Sequence, residues 1–349
     1  MSTIDKLRRA GVIAAVAGAA CVAGATPPKY VVVVDSGNDS VALVDAAGGG
    51  VVNAAWIRYS DWGLDSTSGT PKDAIRVGNQ LWISDQIQDA IHRFSLSVSH
   101  PVYLGTISGG LDNIRGMEFQ GGVVYVSNAG SNNGAPGQAI VKLDRRGQHL
   151  GYFTVGDPFD VTFRPSTGEL LVANTAGDDI DRYSLAGAFL GKYHNSDGVS
   201  GINFPQQIAV DPSGARDLYV AGFSAPSGVY SYLGGAQKSL VAFSGPRGVA
   251  PLSGGTFLFT ADNAIYVLNP ATGGTTLMYA ETLASFQFAN VVTFFCPADV
   301  NADGFVNGDD YDTFASFFDT ADAEADFNGD GFVNGDDYDA FASAFDGGC

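Results

Sequence analysis

The stretch Phe288-Ala-Asn-Val-Val-Thr293 decides the fold, because it supplies at the far end of the chain what Val31-Val-Val-Val34 lacks at the near end. Val31–Val34 followed by Asp35 is the first copy of a strand that ends in a small polar turn. The copies continue as Leu81–Ser84 with Asp85, Val124–Ser127 with Asn128, Leu170–Ala173 with Asn174, Leu218–Ala221 with Gly222, and Leu258–Ala261 with Asp262. They are spaced 50, 43, 46, 48 and 40 residues apart. After each turn comes an alternating strand: Ser40–Asp45, Ala90–Ser95, Ala139–Asp144, Asp179–Ser184, Gly228–Leu233 and Asn263–Asn269. Alternation at period two marks strands half buried between layers. Five units are preceded by a further segment: Pro71-Lys-Asp-Ala-Ile, Asn113-Ile-Arg-Gly-Met, Pro158-Phe-Asp-Val-Thr, Pro205-Gln-Gln-Ile-Ala and Pro246-Arg-Gly-Val-Ala. The unit at Val31 has none before it, and the sixth copy is Phe288–Thr293. The two ends of the repeat must then share a sheet, which closes a ring and removes exposed strand edges. Four strands per repeat of about 45 residues, arranged as a ring, predict a mainly β fold: a six-bladed β-propeller over residues 26–295.

The Pro-x-x-hydrophobic segments, the turn Asp211-Pro-Ser-Gly214 and the strand Leu218-Tyr-Val-Ala221 resemble the repeat of NHL-type and YVTN-type propellers. The resemblance spans the whole repeat region and implies the fold. Those families include protein-binding scaffolds, carbohydrate-associated proteins and a few lyases and lactonases, so no single activity follows from it.

Asp35, Asp85, Asn128, Asn174 and Asp262 end equivalent strands and would crowd one face of the ring. Such oxygens can hold a hard cation or cap their own turns. Recurrence in nearly every repeat favours the turn. The histidines His92, His100, His149 and His194 show no zinc-pair spacing. His194, read as part of a polar loop, is the best placed for a catalytic base. Trp56, Tyr59 and Trp62 form either a binding platform or packing between the first two blades, and packing is the commoner fate of large aromatics. Neither a Gly-x-Ser-x-Gly elbow nor a phosphate-binding glycine loop occurs.

The chain has 349 residues, 45% apolar and only 16% charged, with 46 glycines. That composition suits a large core with many tight turns rather than disorder or long helices. The net charge is −19 with only 18 basic residues, which excludes a nucleic-acid-binding class. The charge is uneven. Residues 1–25 carry +2, residues 26–295 carry −7, and residues 296–349 carry −14 with no basic residue at all.

At the N-terminus, Lys6, Arg8 and Arg9 precede an uncharged run from Ala10 to Ala25, with Ala23-Gly24-Ala25 at its end. This is the pattern of a cleaved Sec-type signal peptide over residues 1–25. The run is too short and too rich in Ala and Gly for a membrane span. The expected product is secreted or cell-surface associated.

The acidic C-terminus contains one pattern twice, 27 residues apart. Read as twelve-residue calcium loops, the first places Asp299, Asn301, Asp303, Phe305, Asn307 and Asp310 at ligand positions 1, 3, 5, 7, 9 and 12. The second places Asp326, Asn328, Asp330, Phe332, Asn334 and Asp337 there. Position 7 offers its backbone carbonyl, and Gly304 and Gly331 take the sharp turn at position 6. Hard oxygen donors at this spacing predict two Ca²⁺ ions. Each loop leads into one amphipathic helix, Tyr311–Phe318 and Tyr338–Phe345, and 13 of 15 residues agree between Gly304–Phe318 and Gly331–Phe345.

This duplicated loop-then-helix unit, with Asp at position 12, resembles a type I dockerin, a small all-α module of two F-hand repeats. It is closest to the variant that opens with Cys-Pro-Ala-Asp and closes with Gly-Cys. The resemblance covers residues 296–349. It implies calcium-dependent docking onto a cohesin-like domain. It also implies partner-binding residues at loop positions 10 and 11, here Gly308, Asp309, Gly335 and Asp336. The common Ser-Thr pair is missing there, so the partner's identity does not follow.

The expected function is a secreted, non-catalytic binding or scaffold protein whose propeller recognises a glycan or a protein. The alternative is a polysaccharide hydrolase or lyase. Cys296 and Cys349 remain after signal cleavage and bracket the module, so a disulfide is expected, with a terminal attachment signal at Cys349 the competing reading. Closing a loop this long stabilises by about 4 kcal/mol in the chain-entropy model. A quantitative thiol assay on the secreted, unreduced chain should find no free thiol. One thiol per molecule would rule the bridge out.

Overall fold

A computed structural model of the chain describes residues 28–64, 69–98, 101–294, 296–301, 305–328 and 332–347. The proposed signal segment 1–25 therefore lies outside the described residues, as do Asp303, Gly304, Asp330, Gly331 and Cys349.

The strands form six four-stranded antiparallel sheets arranged as a propeller. Blade 1 is closed as the sequence requires. Its innermost strand is Phe286–Thr293, which pairs with Lys29–Asp35, while Ser40–Asp45 and Val51–Arg58 lie outside. Blades 2 to 6 are each consecutive in sequence. Their inner strands are Pro71–Val77, Ile114–Gln120, Pro158–Arg164, Asn203–Val210 and Pro246–Pro251. The outermost strands, such as His149–Thr154 and Gly274–Ala280, are largely exposed and carry no clean alternation.

The core lies between blades rather than within one layer. Val32 and Val34 pack with Ala74, Leu81 and Ile83 of blade 2, whereas Val31 and Val33 pack with Leu258 and Ile265 of blade 6. Opposite faces of one strand thus fill opposite wedges, so the second strand of each blade is apolar on both sides. Trp56, Tyr59 and Trp62 belong to the wedge between blades 1 and 2. Trp56 packs on Phe294, Tyr59 on His92, and Trp62 on Phe94. The Trp56 indole N–H donates to the carbonyls of Ser97 and Val98 at 3.1 and 3.0 Å. These aromatics act as packing, and only Trp62 reaches solvent appreciably, at 37% exposure.

Every inner strand slips register against its neighbour near its start, between Pro71 and Asp73, Ile114 and Met117, Pro158 and Asp160, Pro205 and Ile208, Pro246 and Val249, and opposite Val33–Asp35. Each bulge leaves backbone groups outside the ladder. Side chains of a preceding blade satisfy several of them. The N–H of Met117 donates to Asp73 Oδ2 at 2.7 Å and that of Ile208 to Asp160 Oδ2 at 2.8 Å. The N–H groups of Val249 and Ala289 both donate to Gln207 Oε1 at 2.9 Å. Hydroxyls add a second belt. Ser84 Oγ donates to the Arg115 carbonyl and Thr260 Oγ1 to the Gln287 carbonyl, both at 2.6 Å.

C-terminal to the propeller, helix α1 (Gly308–Asp319) and helix α2 (Gly335–Gly347) start at Gly308 and Gly335, three residues before the predicted helices. Asn307 caps α1 together with Asp310, which extends the first turn backwards. Among the described residues, no helix is long and apolar enough to cross a membrane.

One close approach tests the belt. A Cβ on Gly116 would stand 2.1 Å from Asp160 Oδ1 and 2.8 Å from the Asp160 Cα. Gly116→Ala must therefore displace the Asp160 carboxyl from its bond to Ile208. Urea unfolding should show a loss of about 1–3 kcal/mol. An unchanged midpoint would show that the belt does not hold the blades together.

Candidate functional site

The six inner strands line a central channel. Equivalent positions near one mouth are held by Gln287, Lys72, Arg115, Phe159, Gln206 and Arg247 in blades 1 to 6, the second residue of the inner strand in five blades and the fourth in blade 5. Three are cations and none is an acid. Lys72 Nζ donates to Gln287 Oε1 at 2.9 Å. Arg115 lies over the Phe159 ring at 4.6 Å and donates to Asp157 Oδ1 at 3.1 Å. Arg247 lies over the Phe223 ring at 4.4 Å. Phe204 bridges these groups, 5.4 Å from Phe159 and 6.0 Å from Phe223. Phe159 also reaches across the channel to Phe288 of blade 1, at 6.0 Å, and floors the mouth. Burial, then the charges of Arg247 and Arg115, push the Lys72 ammonium down to about 7.

Deeper in, the channel turns acidic. Burial pushes the carboxyls of Asp73 and Glu118 up to about 7 and that of Asp160 well above its usual range, with neighbouring carboxylates adding to the rise at Asp73 and Asp160. Glu118 Oε2 accepts from the Phe163 N–H at 2.7 Å. Glu118 and Asp160, with Arg76, Thr162, Gln207 and Asn290, line a cavity of about 240 Å³ towards the opposite mouth. Their bonds to neighbouring blades account for their presence as structural ties. Sequence reasoning noted these segments only as strands. The signal was there, since Lys-Asp, Arg-Gly and Gln-Gln are unusual inside buried apolar strands.

Asp35, Asp85 and Asn174 behave as turn caps. Asp35 Oδ1 accepts from Gly37 and Ser285, Asp85 Oδ1 from Thr70, Ile87 and Gln88, and Asn174 Oδ1 from Ala176 and Gly177. Asn128 Oδ1 accepts from the Asp112 N–H at 2.8 Å. His194 is not in a loop. It ends the outer strand Phe189–His194, with Nδ1 2.9 Å from the Gly235 carbonyl and its ring against Tyr232. Among the described residues, no acid or nucleophile joins it in its hydrogen bonds. His92 is buried in blade 2, where burial holds its imidazole down to about 4.

In the C-terminal segment the two loops are built alike. Asp310 is fully buried, and its two carboxylate oxygens accept from the N–H groups of Asn301 and Asn307 at 3.1 and 2.9 Å. Asp337 does the same for Asn328 and Asn334 at 3.0 and 2.9 Å. Asp299 is buried, while Phe305 and Phe332 project into solvent. Gly308, Asp309, Gly335 and Asp336 lie exposed in the first turns of α1 and α2. Among the described residues no group of three or more His, Cys, Asp or Glu side chains gathers as for a metal, and position 5 of both loops lies outside them. Cys296 is buried and disulfide-bonded, and its expected partner Cys349 lies outside the described residues. The helices meet through residues and their own copies. Phe314 stacks on Phe341 at 4.1 Å, and the Tyr311 and Tyr338 hydroxyls touch.

No family model matches the chain, and no curated protein matches it. Solved structures match its propeller. A chain of a nidogen/laminin complex is 12% identical with a TM-score of 0.57, over 75% of this chain and 98% of that one. A protein of unknown function from Bacteroides caccae is 13% identical with a TM-score of 0.55, over 76% and 99%. A streptogramin B lyase is 12% identical with a TM-score of 0.51, over 75% and 91%. At such identities the likeness shows the fold alone, a propeller that nature uses for both binding and lyase chemistry.

The buried acids give stability a pH slope. Glu118 titrates near 4.5 when unfolded and about 7 when folded. The folded state holds its proton longer, so this contribution is complete below pH 4.5 and is lost as pH rises to 7. Asp73 acts in the same sense, and His92 in the opposite sense between about 4 and 6.5. Glu118→Gln should therefore lose about 2 kcal/mol less than the wild type between pH 5 and 8 in urea unfolding. Parallel profiles would show that Glu118 is ionised without penalty.

Proposed function

We propose that the chain is a secreted recognition propeller carried on a calcium-dependent anchor, and that it is not an enzyme. The observation that carries this reading is the duplicated C-terminal unit. Two loops with the same donor set repeat the same internal hydrogen bonds at Asp310 and Asp337, and their helices meet copy against copy. A buried carboxylate tied only to loop N–H groups suits a hard cation, because those bonds preorganise an oxygen-rich loop without neutralising it. Asp299, Asn301, Asp303, Asn307 and Asp310, with the Phe305 carbonyl, would hold one Ca²⁺. Asp326, Asn328, Asp330, Asn334 and Asp337, with the Phe332 carbonyl, would hold the other. The ions supply folding free energy that so small a core lacks.

The dockerin-like module 296–349 then presents Gly308 and Asp309, or Gly335 and Asp336, to a cohesin-like domain. Because equivalent residues face each other, a half-turn of the module offers the partner nearly the same surface. The Cys296–Cys349 bridge would close the module's ends. The propeller, whose strand-end carboxylates Asp35 and Asp85 are engaged in turns, acts by binding.

Calorimetric titration of the full chain with CaCl₂ should give two ions per molecule. Asp310→Ala and Asp337→Ala should each remove one. Each occupied site adds about 2.7 kcal/mol at a hundredfold excess over Kd. An immobilised type I cohesin should retain the chain in calcium and release it in EDTA. No heat at millimolar calcium would overturn the anchor.

A further inference from the structure

The anchor leaves the cationic mouth of the propeller without a role. The C-terminal segment touches the ring at its other end. Glu324 pairs with Arg145, and the Ala321 carbonyl accepts from Arg146, both in the turn that follows the strand Ala139–Leu143. That turn lies at the end of the channel where inner strands finish, whereas Lys72, Arg115 and Arg247 stand where they begin. The antiparallel order of each blade puts these two sets on opposite faces.

The mouth gathers like charge at a cost. Among six equivalent positions it has three cations and no acid, on a chain of net charge −19. Lys72 and Arg115 are only 7% and 8% exposed. The charges of Asp85, Asp157 and Asp262 offset those of Lys72, Arg115 and Arg247 respectively in part, with Arg115 and Asp157 in direct contact at 3.1 Å. Among the described residues of the mouth, Arg115 Nε and Gln206 Oε1 are buried with no hydrogen-bond partner, and a buried unpaired polar atom carries a penalty. The aromatic arc Phe159–Phe204–Phe223 joins Arg115 to Arg247, and Phe204, Phe223 and Arg247 are half-buried and so open to a ligand. Cations beside ring faces suit a molecule that is charged at one edge and apolar on a face.

We infer that this mouth binds an anionic sugar, whose carboxylate or sulfate seats among Lys72, Arg115 and Arg247 while its ring lies along Phe204 and Phe223. The inference rests on the reading of the propeller as the recognising part and gives it a ligand class.

The test is calorimetry on the full chain in calcium buffer at fixed ionic strength. The probes are trigalacturonate, a sulfated galactose trisaccharide, neutral galactotriose and sodium sulfate. One anionic trisaccharide should bind one to one, and the neutral sugar should not. Arg247→Gln, at a half-exposed position, should weaken binding by about tenfold or more while the melting temperature and the calcium stoichiometry stay unchanged. Lys72→Met should weaken it likewise. Silence from both anionic sugars, equal binding of the neutral one, or indifference to both substitutions would overturn the site. Saturation by sulfate without either sugar would overturn the sugar and leave an inorganic anion. Calcium binding is read in the same sample, so loss of calcium with sugar retained would sink the anchor alone.

Discussion

The ring depends on how the bulged inner strands satisfy their stranded N–H groups. A bulge at the start of every inner strand turns backbone donors away from their own sheet. An unpaired buried N–H costs free energy on the order of a lost hydrogen bond. Asp73, Asp160 and Gln207 remove that cost by reaching from one blade to the next. The blades are therefore tied at the axis by directional bonds, and further out by apolar wedges that have no direction.

The ties explain the electrostatics of the channel. Carboxylates that must reach neighbouring backbone are necessarily buried and close to one another, so their protons bind more tightly. Lys72, Arg115 and Arg247 occur one step earlier in the strands, where the mouth begins, and Arg76 lies beyond the acids, beside Glu118 and Asp160. The channel thus carries an acidic interior with cations on either side. Glycine at Gly116 makes room for the Asp160 carboxyl, so the belt also fixes which inner strands carry a side chain at that level.

The C-terminal segment solves a different problem by duplication. Its small core is a set of rings: Phe327 packs edge on face against Phe314 and Phe341, which stack on each other, and Phe345 lies tilted against Phe341. Each loop is closed from inside by one aspartate that caps the backbone at two points. The near-identical sequence of the halves yields matching bonds at Asp310 and Asp337, and Phe314 and Phe341, which stack on each other, are equivalent positions of the two copies.

The sequence by itself determined the number of blades, the closure by Phe288–Thr293, the second and third strands of each blade, and the two C-terminal helices. All of these rest on local periodicity or on duplication, which a chain displays before it folds. The outer strands were not legible, because exposed, glycine-containing edges carry no burial pattern. The placement of His194 at a strand end was missed for the same reason. Only the tertiary structure decided that Lys72, Arg115 and Arg247 share one mouth, or that Asp73, Glu118 and Asp160 share one interior. Those residues lie some forty or more residues apart, and what unites them is the axis of the ring, which no single repeat contains.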